Sequence, residues 1–194
     1  MVTPRSWKDA DGVAAMRDFL GQHPPRRASI RGLMTELLSP DPFASRCAAD
    51  LARRVSAREP GILRRHADVL AGLAAELPPE QWQARGHVTL AAALNAGTHG
   101  QRMRLAPLVR AMVDDERIAL RAIALEAFAI LAQAEPELRD EVMQLLERSR
   151  RAPEAAVRCR ALRMLPLLLA AEIEARPDAG RRRSKRVLRK ARAE

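Results

Sequence analysis

The basic side chains at the end of the sequence are the residues best suited to charge-based contacts. Residues 176–194 carry nine Lys and Arg against two acids, a net charge of +7, whereas the whole chain carries +10. Such a run can bind phosphates, an acidic protein face or an anionic membrane, with an affinity that falls as salt rises. The alternative is a solvated tail without a partner. The candidate binding residues are Arg181, Arg182, Arg183, Lys185, Arg186, Arg189, Lys190 and Arg192.

A second set of arginines recurs inside the chain at a nearly constant interval. Four segments share one register, and their arginines are 39, 36 and 37 residues apart. Three of the segments have an acid five positions before the arginine, which suits the first turn of a helix, where free N–H groups and the helix dipole favour negative charge. Acids and arginines so placed can pair between segments, which predicts a structural ladder. We call these four residues the anchor arginines: Arg46, Arg85, Arg121 and Arg158.

Patterns typical of catalysis or metal binding are missing from the sequence. The histidines stand singly, at His23, His66, His87 and His99. None has a second ligand three or four residues away, and no HExxH motif or Cys/His cluster occurs. Cys47 and Cys159 occupy equivalent positions in two segments, so we expect them about 30 Å apart, too far for a disulfide. With no phosphate-binding loop or nucleophile elbow either, the sequence predicts no catalytic centre, metal or cofactor.

Composition indicates which elements position the anchor arginines. Apolar residues make up 47% of the chain and aromatic residues only 3%, with no Tyr. Ala, Leu and Met favour helices, and a core of small and aliphatic side chains lets helices pack closely. Apolar residues at three- and four-residue spacing predict a partner helix before each anchored one, within residues 30–38, 62–77, 103–112 and 138–146. Prolines and glycines separate these segments, so the sequence predicts an all-α fold.

The four segments resemble the HEAT/armadillo class of helical repeats. The motif is an acid–x–x–x–[VA]–R–x–x–A helix start, closest in DPFASRCAADL from Asp41 and APEAAVRCRAL from Ala152. The resemblance implies an α-solenoid of about four HEAT-like helix pairs, since one repeat cannot bury its own apolar stripe. It predicts a fold more than a function, because the class contains scaffolds, adaptors, cargo carriers and a few enzymes.

Three parts are expected along the chain. Residues 1–25 would form an N-terminal capping helix and linker, 26–175 the repeat domain, and 176–194 the basic, disordered tail. No apolar stretch reaches the length of a membrane span or of a signal-peptide core, which predicts a cytoplasmic protein. Pro166 should kink or restart the last helix. The apolar run around Pro166 should expose a patch suited to docking or self-association.

The positions one, five and eight residues after each anchor arginine are small, apolar and weakly charged, from Cys47 in the first segment to Pro166 in the fourth. They are the positions expected to line a concave side, where they would suit a peptide or helix better than a duplex. The alternative is that they pack against neighbouring repeats.

The predicted function is a non-catalytic scaffold or adaptor that binds a protein partner. The alternative is a nucleic-acid-associated protein that contacts phosphates through the basic tail. Alkylpurine DNA glycosylases built from HEAT-like repeats are similar in architecture only. They cradle a modified base with aromatics and an aspartate, whereas this chain has only Trp7, Trp82 and three Phe.

Overall fold

The computed structural model describes residues 27–175, and within this range the chain is all-helical. It contains eight α-helices and two short 3-10 turns, and none of the described residues forms a strand. The predicted capping helix and linker, 1–25, and the basic tail, 176–194, lie outside the described residues. The helices divide into two compact units, one ending at Met112 and the other beginning at Val113.

Five helices build the first unit. Helix α2 packs against both α1 and α4, and α3 packs against α4. The 3-10 turns Arg64–His66 and Pro79–Gln81 lead into α3 and α4. The helices are α1 (Arg27–Leu37), α2 (Pro42–Arg58), α3 (Ala67–Glu76), α4 (Trp82–Asn95) and α5 (His99–Val113).

Three helices build the second unit, and each packs against the other two. They are α6 (Ile118–Ala134), α7 (Pro136–Ser149) and α8 (Ala155–Ala175). Each unit thus holds two of the predicted anchored helices with their intervening helix, α2 and α4 with α3, or α6 and α8 with α7. A continuous solenoid, with one row of four anchor arginines, stays a prediction.

The predicted acid at the start of each anchored helix has that role in one case. Asp41 caps α2, and its carboxylate accepts hydrogen bonds from the N–H groups of Phe43 (3.0 Å) and Ala44 (3.3 Å). At the start of α6 no side chain caps the helix, and Asp115 instead accepts the N–H of Arg117, the residue before the first turn, at 2.8 Å. The acid in register therefore caps α2 and does not cap α6.

Each anchored helix places a small apolar residue in the core of its unit. The position three residues after every anchor arginine has no exposed surface, as expected for the side of a helix that faces another helix closely. These residues are Ala49, Val88, Ala124 and Ala161.

Helix α8 passes through Pro166 without a break, so the predicted restart there is wrong. A proline inside a helix removes one N–H donor and leaves the carbonyl four residues earlier, that of Leu162, without its helical partner. Both residues are exposed, so water can bind this carbonyl, and the helix continues.

Candidate interaction surface

Two anchor arginines, the first in each unit, reach forward to the following anchored segment. Arg46 on α2 donates from Nη1 to Oε1 of Gln83 on α4, at 3.4 Å. Arg121 on α6 donates from Nη2 to the Glu154 carboxylate just before α8, at 2.5 Å. Of these two contacts, only the second is the arginine–acid pair that a ladder would use.

The other two anchor arginines bind backbone carbonyls. Arg85 donates from Nε to the carbonyl of Ala74 in the last turn of α3, at 3.1 Å. Arg158 donates from Nη1 to the carbonyls of Ala152 (2.7 Å) and Pro153 (3.1 Å). Cations stabilise carbonyls that a helix end or loop leaves without a partner. The contacts described for the four anchor arginines each lie within one unit, and each therefore stabilises the unit to which it belongs.

The predicted concave groove is closed over most of its length. In the first three anchored helices most of its residues are buried, including Leu51, Gly86, Leu90 and Ala129. Small side chains let neighbouring helices approach until no groove remains. Only on α8 do the corresponding residues Cys159, Arg163 and Pro166 stay exposed. The groove interpretation is therefore wrong, and the packing alternative holds for α2, α4 and α6.

The exposed side of α8 carries the densest group of exposed large apolar side chains in the described residues. Leu162, Leu167 and Leu169 are 52%, 50% and 44% exposed. Leu162, Pro166 and Leu169 follow one another at helical spacing and share one stripe, beside the exposed thiol of Cys159. We call these five residues and Arg163 the α8 face. Leu167 lies further around the helix, on the other side of Arg163 from this stripe. Exposed apolar surface grouped on one helix is typical of protein-binding sites.

An ion-pair cluster borders the α8 face. Glu126 of α6 accepts hydrogen bonds from both Arg160 and Arg163 of α8. The Glu126 side chain is 16% exposed and that of Arg163 is 57% exposed. A guanidinium has five N–H donors in a planar fork, so Arg163 can bind Glu126 and a further carboxylate. The cluster fixes α8 on α6 and leaves a cation beside the leucines.

A polar hollow lies between the helices of the second unit, with a volume of ≈ 250 Å³. Its charged wall is the Arg121–Glu154 pair, with Arg148 and Ser149 nearby. A hydrogen bond from its own backbone N–H, followed by that from Arg121, holds the pKa of the Glu154 carboxyl below its ordinary value. The hollow is smaller than typical small-molecule sites, which measure about 300–1,000 Å³. Its Arg121–Glu154 pair joins α6 to the segment before α8, so we assign the hollow to structure.

The first unit buries a carboxylate of its own. Asp50 is 5% exposed and binds Arg53 Nη2 at 2.6 Å and Arg54 Nε at 2.7 Å. His87 Nδ1 lies 3.8 Å from the same carboxylate and has no hydrogen-bond partner among the described residues. Burial lowers the pKa of His87 to about 4. A neutral histidine beside a doubly paired carboxylate is better suited to packing than to proton transfer at neutral pH.

The two cysteines, which the sequence placed in equivalent positions, have different environments. Cys47 is buried and Cys159 is exposed. Burial raises the pKa of the Cys47 thiol, an effect that the neighbouring Arg46 opposes. A buried thiol with a raised pKa is a poor nucleophile. The expected shared small-residue slot is therefore wrong for Cys159, which lies on the α8 face.

The predicted tail residues, Arg181, Arg182, Arg183, Lys185, Arg186, Arg189, Lys190 and Arg192, lie outside the described residues. The sequence analysis missed the contacts of Glu126 with Arg160 and Arg163. A signal for them was present: five residues after the anchor arginine, the third segment has Glu126 and the fourth has Arg163. Opposite charges at equivalent positions of consecutive repeats can pair when the helices pack side by side.

A scan against protein-family models, a search of curated proteins and a search of solved structures each found no match for this chain. Among the helices in residues 27–175, none has both the length and the apolar character needed to cross a membrane. Function must therefore be argued from the geometry of the chain itself.

Proposed function

We propose that the chain is a non-catalytic HEAT-like scaffold that binds a protein partner through the α8 face. The observation that carries this proposal is the exposure of Leu162, Leu167 and Leu169 on one continuous helix. Each of these side chains is already about half buried, so covering the rest in an interface would contribute about 1 kcal/mol each, before the cost of association. Because polar and charged residues surround these leucines, the apolar area is limited, as in interfaces that form between folded proteins.

The polar groups of the described residues support a binding role over a catalytic one. Of the two buried carboxylates among the described residues, Asp50 and Glu135, the first is bound by two arginines, and in the polar hollow Arg121 binds Glu154. A catalytic site needs a nucleophile or base directed at a space that a substrate can enter. The α8 face instead offers exposed apolar surface, which suits the binding of a protein.

The alternative is a nucleic-acid-associated protein that binds phosphates through residues 176–194. What favours it is the net charge of +7 in that segment of the sequence. Binding of this kind releases counterions and is lost steeply as salt rises, whereas apolar docking is not. The two functions therefore differ in the segment they need and in their response to salt.

The test uses the full chain as bait in a lysate of its source organism, with captured proteins and nucleic acid quantified at 0.1 and 0.5 M salt. A bait with Leu162→Ser, Leu167→Ser and Leu169→Ser should lose its specific protein partner. The matched control replaces three exposed apolar residues of the first unit, Leu38→Ser, Phe43→Ser and Val69→Ser, and should keep it. A third bait lacks residues 176–194.

Loss of the partner with the α8 variant alone supports the scaffold function. Equal capture by the α8 variant and the wild type would overturn it. Capture of nucleic acid that disappears with the tail or at high salt, with no protein partner, would support the alternative function instead.

A further inference from the structure

The second unit shows how a helix of this chain receives the next one. Glu126 on α6 pairs with Arg160 and Arg163 of α8, so the side of α6 that carries Glu126 faces α8. Residues three or four positions from Glu126 share that side. Ala122 and Ala129 are among them, and they are 4% and 0% exposed. This side of α6 is thus a docking surface made of small apolar residues around one charge.

Helix α8 carries the same surface 37 residues later. In the register of the anchor arginines, Ala122, Glu126 and Ala129 correspond to Cys159, Arg163 and Pro166. The α6 residues are buried or half-buried, whereas the α8 residues are exposed. Leu125, 1% exposed, corresponds in the same way to Leu162, which is 52% exposed. The α8 face therefore repeats an occupied docking surface, is unoccupied among the described residues, and has a cation where α6 has an anion.

We propose that the α8 face binds an amphipathic helix of another protein in the way that α6 binds α8, with acidic residues of that helix placed against Arg163. The inference rests on the proposed function and names its partner class. In α8 the charges that reach Glu126 are three residues apart, at Arg160 and Arg163. The apolar residues on either side of them are Val157, Ala161, Met164 and Leu168, all buried.

These spacings define the partner helix. It has apolar residues at positions 1, 5, 8 and 12, like Val157 to Leu168, and acids at positions 4 and 7 in place of Arg160 and Arg163. Charge complementarity across an interface fixes register and excludes partners of like charge. The acids therefore distinguish the partner from any generally apolar helix.

Charge also argues against two other occupants. A second copy that docked its own α8 in the same way would bring Arg160 and Arg163 against Arg163. The segment 176–194, with its net charge of +7, would likewise bring cations to a cation. Like charges placed side by side disfavour an interface. An acidic helix from a different protein is the occupant that relieves this repulsion.

The experiment uses the full chain and two synthetic helical peptides that differ only at positions 4 and 7, which are Glu in one and Arg in the other. Affinity is measured by fluorescence anisotropy. Site occupancy is measured by protection of the exposed Cys159 from alkylation, since Cys47 is buried. We expect the Glu peptide to bind at least tenfold more tightly than the Arg peptide at low salt, to protect Cys159, and to lose much of this preference at 0.5 M salt.

Protein variants test whether the preference for the Glu peptide over the Arg peptide depends on Arg163. Arg163→Glu should reverse it, and Arg163→Ala should remove it while leaving weaker binding of both peptides. Leu162→Ser with Leu169→Ser should abolish binding, whereas the exposed control Leu38→Ser in the first unit should not change it. Circular dichroism confirms that each variant retains its helix content.

Equal binding of both peptides that still needs Leu162 and Leu169 would overturn the inference and leave the proposed function standing. No binding of either peptide would overturn it as well. Dimerisation of the wild type that the leucine variant abolishes would overturn it in favour of a second copy. The proposed function itself fails if the native partner is still captured by the α8 variant described above, or if the bait captures nucleic acid and no protein partner.

Discussion

The two units build their pairs of anchored helices alike, but they fill equivalent positions with different side chains. Ten residues after the anchor arginine, the first unit has Ser56 and Asn95, whereas the second has Leu131 and Leu168. None of the four is more than 1% exposed. One template therefore accepts either a polar or an apolar pair at the same buried position. The difference shows that the repeat pattern fixes where a residue is buried, and that its neighbours fix its chemistry.

In the first unit the buried Asn95 side chain has hydrogen-bond partners for both its oxygen and its nitrogen. Asn95 Oδ1 accepts the N–H of Leu63 at 2.7 Å. Its Nδ2 group donates to Ser56 Oγ and to the Ala91 carbonyl, both at 2.7 Å. The side chain thus joins the ends of α2 and α4 to the turn that precedes α3. A buried polar group with all its partners specifies one geometry, whereas one that lacks a partner costs free energy.

In the second unit this buried position is apolar, and charged residues lie instead at the edge of the contact between α6 and α8. Five residues after the anchor arginine, the first unit has buried Leu51 and Leu90, whereas the second has Glu126 and Arg163. Leucines are not directional, so they do not select one arrangement of α6 and α8. The pairing of Glu126 with Arg160 and Arg163 does. The second unit therefore combines an apolar interior with directional contacts at its surface, beside the α8 face.

Giving the second unit the polar residue of the first should have the largest effect. Leu131→Asn removes a fully buried leucine and leaves an amide among apolar neighbours, so we expect the free energy of unfolding to fall by about 4 kcal/mol or more. The conservative variant Leu131→Met should lose less than about 1.5 kcal/mol. Urea unfolding followed by circular dichroism measures both, and hydrogen exchange of α6 amides locates the loss. A cost for Leu131→Asn no larger than that of Leu131→Met would contradict the comparison.

Acid should distinguish the units next, because the half-buried histidine His87, whose pKa is lowered by burial, belongs to the first unit. The pKa of His87 is lowered to about 4 by burial, and the arginines on Asp50 also oppose its protonation. The unfolded chain therefore binds a proton that the folded chain does not, between pH 6.5 and about 4. Stability should fall by about 3 kcal/mol as pH falls through this range and be unaffected by this group above it.

The measurement is urea unfolding at pH 7, 5.5 and 4.5, followed by tryptophan fluorescence. Trp82 begins α4 and so reports on the first unit, and a Trp7→Phe background leaves it as the single tryptophan, since Trp7 lies outside the described residues. His87→Gln should flatten the pH dependence of the fluorescence transition. The matched variant of an exposed histidine, His99→Gln, should keep the slope of the wild type. An unchanged slope in His87→Gln would show that other groups cause the acid sensitivity.

Much of the fold could be predicted from the sequence because its signals are local. The anchored helices, their partner helices and the Asp41 cap all follow from residues within a few positions of one another. The contacts of Asn95 could not be predicted, since Ser56 and Leu63 are 39 and 32 residues away. Because this repeat position holds a serine, an asparagine and two leucines, the sequence shows no apolar periodicity that would mark it as buried.

The interaction surface was predicted only in part, for a related reason. Small apolar residues at helical spacing look alike whether a neighbouring helix covers them, as on α6, or leaves them open, as on α8. The sequence therefore left two interpretations open for these positions, a groove and packing against neighbouring helices. The apolar patch around Pro166 was predicted correctly, because a run such as Leu167 to Leu169 exceeds what one side of a helix can bury.

Giving the first unit the apolar residue of the second should have the smallest effect of the three. Asn95→Leu keeps the number and branching of the side-chain heavy atoms but leaves the Leu63 N–H and the Ser56 hydroxyl without their partner, so we expect a loss of about 2 kcal/mol. Circular dichroism during urea unfolding, which reports on the helices of both units, measures it, and Gln144→Leu, which changes an exposed amide, should stay within about 0.5 kcal/mol of the wild type.

The double variant Ser56→Ala, Asn95→Leu sharpens this test. Removing the hydroxyl together with the amide eliminates one of the two unpaired groups, so the double variant should recover part of the loss. The Leu63 N–H cannot be removed in this way, and its desolvation should keep the double variant about 1 kcal/mol less stable than the wild type. Full recovery of the lost stability would mean that Asn95 is needed only as the hydrogen-bond partner of Ser56. No recovery would mean that the backbone of the turn, and not the hydroxyl, is what makes an amide necessary at this position.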